Sequence, residues 1–273
     1  MQIIGLCRFS YPAKGGFQVE HESIEERCAF LYGPARMEER FRLFETVALP
    51  CLRAQTDPDF TLVIVVGENL PKAYSDRLHD LVAGMPQVEI IAQPPRNHRE
   101  VMKEILWATR RDPAAPCMQF RHDDDDAVAV DFIEKLREAA RDSAGLLEKA
   151  PYAAIDFNSG YLAELGPEGI AAAPLWRAFN TAALAMHVKG GRQISIMNFA
   201  HNKIARNMPT ISYHQPPMFV RTHNAFNDSR QKPVKQFEVT PLTPEQEAEF
   251  ETRFAISAPR VRELFAQPAP GKA

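Results

Sequence analysis

The stretch Met118-Gln119-Phe120-Arg121-His122-Asp123-Asp124-Asp125-Asp126-Ala127 sets a short apolar run directly against four consecutive aspartates. Met118–Phe120 has the composition of a brief buried strand. Beyond the aspartates, Val130, Ile133, Leu136 and Ala140 recur at helical spacing. A carboxylate at such a junction caps a helix by accepting N–H bonds, and others suit the positive end of the helix dipole. Four in a row repel one another, and some of their pKa values rise unless a cation sits among them. A hard divalent cation such as Mg2+ or Mn2+ prefers oxygen ligands of this kind. The residues alone therefore leave two readings open, a helix cap and a metal site.

Upstream, Ile3–Phe9 reads as a first buried strand, followed by a loop from Ser10 through Gly15-Gly16 and on. Met37, Phe41, Phe44 and Ala48 define a helical face that Pro50 closes or kinks. Phe60–Val66 is β-branched, lies between Asp57-Pro58 and Gly67, and predicts a strand buried on both faces. Leu70-Pro71 opens a helix. Val88–Ala92 is a strand ended by Pro94-Pro95, and Val101, Ile105 and Ala108 mark the next helix. Strand and helix thus alternate four times, which predicts an α/β fold with a mostly parallel sheet flanked by helices. Such sheets bind ligands beyond the carboxyl ends of their strands. The loops after Phe9, Val66, Ala92 and Phe120 are the places to expect a site.

Downstream the pattern becomes more antiparallel. Tyr152–Phe157, Tyr161–Glu164, Ile170–Ala173 and Ala182–His187 read as strands, Phe199–Arg206 as a short helix and Met218–Thr222 as a last strand. From Pro241 the sequence predicts one Glu-rich helix and a fraying Pro/Gly/Ala/Lys tail.

Composition narrows the function. The 273 residues are 45% hydrophobic and 25% charged, with a net charge of -3, as in ordinary globular proteins and without the basic footprint of a nucleic-acid binder. Cys7, Cys28, Cys51 and Cys117 are far apart, with no C-x-x-C; three of the four sit in apolar stretches and read as reduced core thiols, which favours the cytoplasm. The run Gln2–Cys7 is broken by Arg8 too early for a signal-peptide core, and no apolar window of about 20 residues predicts a transmembrane helix. The sequon Asn227-Asp228-Ser229 reads as accidental. No G-x-x-x-x-G-K-[ST] loop is present.

Gly5-Leu-Cys-Arg-Phe-Ser-Tyr11, Leu49-Pro-Cys-Leu-Arg-Ala-Gln-Thr-Asp57, Phe60, Leu70-Pro71 and Arg121-His-Asp-Asp-Asp-Asp-Ala127 resemble the bacterial putative rhamnosyltransferase family, of the GT-A type of glycosyltransferase, as far as about Ser229. His122 departs from the pattern, where an apolar residue is expected. The resemblance implies a GT-A-like domain over 1–230, with a nucleotide-sugar half (1–127), an acceptor half (128–230) and a C-terminal extension (231–273). It implies transfer of a sugar, rhamnose by the family's name, from a nucleotide-diphosphate donor to a glycan or lipid-linked acceptor, with Mn2+ or Mg2+ as cofactor. Peripheral association with the inner face of the cytoplasmic membrane is compatible with such an acceptor, although no basic amphipathic helix supports it. Two other classes remain: another metal-phosphate enzyme (nucleotidyltransferase or phosphohydrolase), and a non-catalytic domain whose aspartates only cap a helix.

On this reading Arg8 and Ser10 reach the base, ribose or phosphate, or else Arg8 pairs with a nearby carboxylate. Glu68 accepts from the nucleoside or sits in a helix-opening turn. Arg96 and Arg99, with His98, line a diphosphate cradle at a helix start or form a solvated basic turn. Arg121, Asp123 and Asp124 are assigned to the nucleotide-sugar. Asp123 and Asp125 are expected to hold the metal with a late histidine, His223, before the runner-up His201. Asp156, a carboxylate inside an apolar strand, is the candidate catalytic base, and an ion pair explains it as well. Tyr161, Trp176 and Phe179 are either sugar platforms or core.

Overall fold

The computed structural model describes residues 1–15, 21–224 and 238–267. The sequon at 227–229, with Asp228, lies outside them.

The chain opens with β1 (Gln2–Arg8), α1 (Ile24–Leu31), α2 (Pro34–Leu43) and α3 (Leu49–Arg53). Helix α1 falls where sequence reading left a loop. Its Ser23 side chain accepts from the Glu26 N–H, a local N-cap that a weakly patterned octapeptide hides. Pro50 does not end the helical path. A π turn over Phe44–Ala48 joins α2 to α3, and this widening accommodates a residue that has no N–H and whose ring crowds the preceding turn.

Next come β2 (Thr61–Gly67), α4 (Lys72–Val82), β3 (Val88–Gln93), α5 (His98–Ala108) and β4 (Cys117–Asp123). The main sheet has the order β3-β2-β1-β4 from one edge, all parallel. Side chains alternate between two cores. Ile3, Cys7, Leu62 and Ile64 pack towards Phe41, Phe44 and Phe132, while Ile4, Leu6, Val63 and Val65 pack towards Val101, Met102, Ile105 and Leu106 of α5. β2 is buried along its whole length, which is why its sequence shows a run rather than an alternation.

The chain then forms β5 (Ala127–Val128), α6 (Phe132–Asp142), α7 (Ala144–Lys149), β6 (Tyr152–Phe157), β7 (Ser159–Gly166), β8 (Gly169–Trp176), β9 (Leu184–Val188), β10 (Thr210–Tyr213), β11 (Phe219–Thr222), β12 (Thr240–Pro241), α8 (Pro244–Phe254) and α9 (Ala258–Phe265). The main sheet continues from β4 as β9-β6-β10, with β9 antiparallel to both neighbours. A second sheet, β12-β8-β7-β11-β5, is largely antiparallel and is built around the β7–β8 hairpin. The expected α/β class, a mainly parallel sheet followed by a more antiparallel half, is therefore the one observed. The C-terminal segment holds two helices where one was expected. Ala255, in the left-handed region, stops α8 and starts a second amphipathic turn too short to register as a pattern. Phe250, Phe254 and Val261 from these helices join the main core.

The connections matter most at β1. From β1 the chain moves outward to β2 and β3, then returns to β4 on the opposite side of β1. Loops leaving the carboxyl ends of β1 and β4 diverge, and a crevice opens between them. The two strands pair closely, Gly5 opposite Phe120 and Arg8 opposite Asp123. A Cβ on Gly5 would lie 2.4 Å from Cζ of the Phe120 ring, well inside contact distance. Gly5→Ala is expected to cost about 1–3 kcal/mol in urea unfolding through overpacking at this pair; a change within error would show that the ring moves aside freely.

Candidate active site

β4 runs further than its apolar composition suggests. Its ladder with β1 continues through Arg121 and His122 to Asp123. His122 alternates into the core and is fully buried; burial lowers its pKa to about 4, so it is a neutral space-filler on the β4 face opposite Arg121.

The aspartates then make a tight turn, in which the Asp126 N–H donates to the Asp123 carbonyl at 3.2 Å. They do not start a helix. β5 follows at once, α6 begins at Phe132, and Asp131 occupies its N-cap position. The helix-cap reading of the run is thereby removed.

Three of the four carboxylates are buried, and each has a specific partner. Arg40, itself buried on α2, lies 2.7 Å from Asp125 Oδ2 and 3.3 Å from Asp124 Oδ1. Asn224 Nδ2 donates to Asp125 Oδ2 at 3.1 Å. The Thr222 N–H donates to Asp126 Oδ1 at 3.1 Å, and its hydroxyl donates to the Asp125 carbonyl at 2.6 Å. Burial and the charges of Asp125 and Asp123 push the Asp126 carboxyl well above the usual carboxylate range. The repulsion anticipated within the run is real: it helps to push the Asp126 carboxyl upward, and the buried Arg40 offsets it at Asp124 and Asp125.

Asp123 differs: it alone in the run is exposed. It sits in a dense, strongly cationic crevice. Its surroundings would raise its pKa by desolvation, but Arg121, Arg8 and Arg221 outweigh that and hold it below the usual range. Arg121 in turn feels Arg8 and Arg99, and its buried surroundings lower its pKa without discharging it. Two histidines complete the ring. Burial together with Arg8, Arg121 and Arg99 depresses His98 to about 3. Burial lowers His201 too; its Nδ1 lies 2.7 Å from the Phe179 carbonyl, and Arg121, Arg177 and Asp123 all act on it. Both imidazoles are therefore neutral. The result is one carboxylate amid several guanidiniums at the switch point of the sheet, an arrangement suited to an anionic ligand.

Residues 2–236 match the family described as "Putative rhamnosyl transferase". The chain belongs to this family of glycosyltransferases. No curated protein matches the sequence. Among solved structures, the chain is similar to S. aureus TarS 1–349 in complex with UDP, at 10% identity and a TM-score of 0.45, covering 82% of this chain and 61% of that one. It is also similar to the same protein in complex with UDP-GlcNAc, at 11% identity and a TM-score of 0.41, covering 84% and 60%. The chain thus spans about three-fifths of the length of these structures.

In this rhamnosyl transferase family member, the site residues expected from sequence divide clearly. Arg8, Arg121, Asp123 and Arg99 come together in the crevice. Ser10 is beside it but buried in the left-handed region, its Oγ accepting from Arg36 at 2.9 Å; it shapes the loop after β1. Arg96 is held bidentately by Glu104 at 2.8 and 2.9 Å, running along α5. Glu68 is exposed beyond β2. Asp124 and Asp125 face Arg40 rather than the crevice. His223 points away from the aspartates to Glu164 Oε1 at 3.3 Å, because Thr222 and Asn224 on either side turn towards Asp125 and alternation sends the residue between them outward. Among the described residues, no three His, Cys, Asp or Glu side chains gather as a metal-holding group.

Asp156 is fully buried. Its Oδ1 accepts from the Phe179 N–H at 2.9 Å and its Oδ2 from the Ser212 hydroxyl at 3.2 Å. Burial raises its pKa to about 6. It acts as a brace for the loop after β8, with no surface to offer an acceptor hydroxyl. Sequence reading missed Arg40, Thr222 and Arg221. Arg40 lies in a run of charged residues on a helix, where nothing local marks a buried arginine.

Arg40→Met leaves two buried carboxylates facing an apolar group and is expected to destabilise the fold by about 3–5 kcal/mol, read by denaturant titration. For Asp156 the raised pKa means a stabilising contribution present below its ordinary value of 3.8 and lost as pH rises through about 6. Asp156→Asn preserves an acceptor for Phe179 and removes that loss. Unfolding free energies measured from pH 4 to 7 should fall in the wild type relative to D156N, by about 1–3 kcal/mol; parallel curves would refute the assignment.

Proposed function

We propose that the chain transfers a sugar from a nucleotide-diphosphate donor to a saccharide acceptor, with the diphosphate lying across the crevice between β1 and β4. The observation that carries this reading is the exposed Asp123 among the charges of Arg8, Arg121 and Arg221, with Arg99 acting on Arg121, in a chain of net charge -3. A diphosphate leaving group gains negative charge as the sugar–phosphate bond breaks, and fixed guanidiniums stabilise that charge without reorganising. The exposed arginine Arg99 and the first turn of α5 add the positive end of a helix dipole.

The donor set also fits a divalent cation that arrives with its substrate. Mg2+ and Mn2+ commonly take one or two carboxylates and complete their shells with phosphate oxygens and water. Asp123, open to the crevice, would hold the ion with the diphosphate. Bound there, the ion would share in neutralising the leaving group. Asp125 and His223 have other partners and are not part of this set.

Rhamnose is favoured as the sugar by the family name. A glycan acceptor, free or lipid-linked, is the natural partner. Among the described residues no helix is long and apolar enough to cross a membrane, so a lipid-linked acceptor would be met at the membrane's surface, on the cytoplasmic side where the four free thiols suit a reducing medium.

Calorimetric titration of UDP, dTDP and GDP, with and without Mn2+, tests the reading. One nucleotide should bind the wild type. Arg121→Ala should weaken it roughly 10- to 100-fold in either buffer, as expected for loss of a charge-assisted phosphate contact. Asp123→Asn should abolish only the Mn2+-dependent increment. Absence of binding by all three nucleotides to a folded wild type would overturn the proposal.

A further inference from the structure

Trp176 is 71% exposed at the end of β8, the most exposed large apolar side chain among the described residues. It is also immobilised. Its Nε1–H donates to Ser159 Oγ at 2.9 Å, across the hairpin from its register partner. Its ring lies 5.9 Å from the His214 ring at 37°. His214 Nδ1 is in turn 2.9 Å from Asn158 Oδ1. Asn158 ties both flanks together: its carbonyl accepts from the Arg177 N–H at 2.8 Å, and its N–H donates to the Tyr213 carbonyl at 3.1 Å. The loop beyond Trp176 is braced by Asp156 through Phe179, which is held in the left-handed region.

An indole whose polar edge is satisfied and whose face is left in water has been placed there at a cost, since burying it would be favourable. Pre-ordering the ring removes the entropy that a ligand would otherwise have to supply. Tyr161, by contrast, packs against Phe250 and Phe254 as core, with ring centroids 5.0 and 6.1 Å away. The location gives the platform its meaning. The loop that follows it reaches the crevice residues: the Phe179 carbonyl lies 2.7 Å from His201 Nδ1, and Asn180 Oδ1 accepts from Arg221 at 3.4 Å.

We propose that Trp176, with His214 beside it, is the platform on which a pyranose ring of the acceptor stacks, its C–H face on the indole and its hydroxyls within reach of the imidazole. The inference rests on the donor reading above for its role as an acceptor subsite. It is a positioning surface and takes no part in bond breaking.

The test uses the full chain saturated with the nucleoside diphosphate that binds best. Saturation-transfer NMR is recorded with the methyl glycosides of rhamnose, galactose and N-acetylglucosamine on wild type, Trp176→Ala and Trp176→Phe. At least one glycoside should bind the wild type through its ring protons. It should bind W176A roughly tenfold more weakly, as expected for loss of an aromatic face, and W176F nearly as well as wild type, with nucleotide affinity the same in all three. Equal saccharide binding by W176A would overturn the platform. So would a wild type that binds nucleotide but no glycoside, or a W176A loss confined to the nucleotide, which would place a nucleobase on the ring. Saccharide binding that depends on Trp176 in a protein that binds no nucleotide would leave the platform standing and remove the donor reading.

Discussion

Arg40 is the keystone of this molecule. A guanidinium buried on α2 meets the carboxylates of Asp124 and Asp125, also buried, at the end of β4. Neither side could be buried alone, because an unpaired charge in a protein interior is far costlier than the pair. The contact therefore ties the helical layer beneath the sheet to the strand end above it. Asn224 and Thr222 complete the anchoring from the second sheet. Two segments distant in sequence converge on one turn, and that turn holds Asp123 out into the crevice.

The same arrangement separates two jobs that a run of identical residues conceals. Asp124, Asp125 and Asp126 are internal and serve the architecture. Asp123 is external and faces guanidiniums. The chain as a whole is slightly acidic, yet the crevice is cationic, because Asp124, Asp125 and Asp126 are turned inward, two of them onto Arg40 and the third onto the Thr222 N–H. The neutrality of His98 and His201 belongs to the same electrostatics: in a ring of arginines, neither imidazole accepts a further proton easily.

Asp156 shows how far the role of a carboxylate depends on its surroundings. An acid in the middle of an apolar strand invites a catalytic reading, and its raised pKa would suit a base. Its oxygens are nonetheless committed to Phe179 and Ser212. Through them it sets the loop that leads from the exposed Trp176 to the crevice, so its influence on a ligand would pass through backbone geometry.

Much of the fold was legible in the sequence because its causes are local. Buried strands such as Thr61–Gly67 announce themselves by composition, the alternation of strand and helix implies a parallel sheet, and a site beyond β1 and β4 follows from that topology. That reading places Arg8, Arg121 and Asp123 at those two strand ends, where the structure has them, and Arg99 lies on the first turn of α5. What the sequence could not carry was pairing over distance. Arg40 and Asp125 are 85 residues apart, and Thr222 and Asp126 are 96 apart. Whether a given aspartate faces Arg40, a backbone N–H or solvent depends on where those partners arrive in space. The outward turn of His223, the inward burial of Asp156 and the exposure of Trp176 were decided in the same way. Strand alternation and local propensity determine which positions lie on one face; only the packed tertiary structure determines what that face meets.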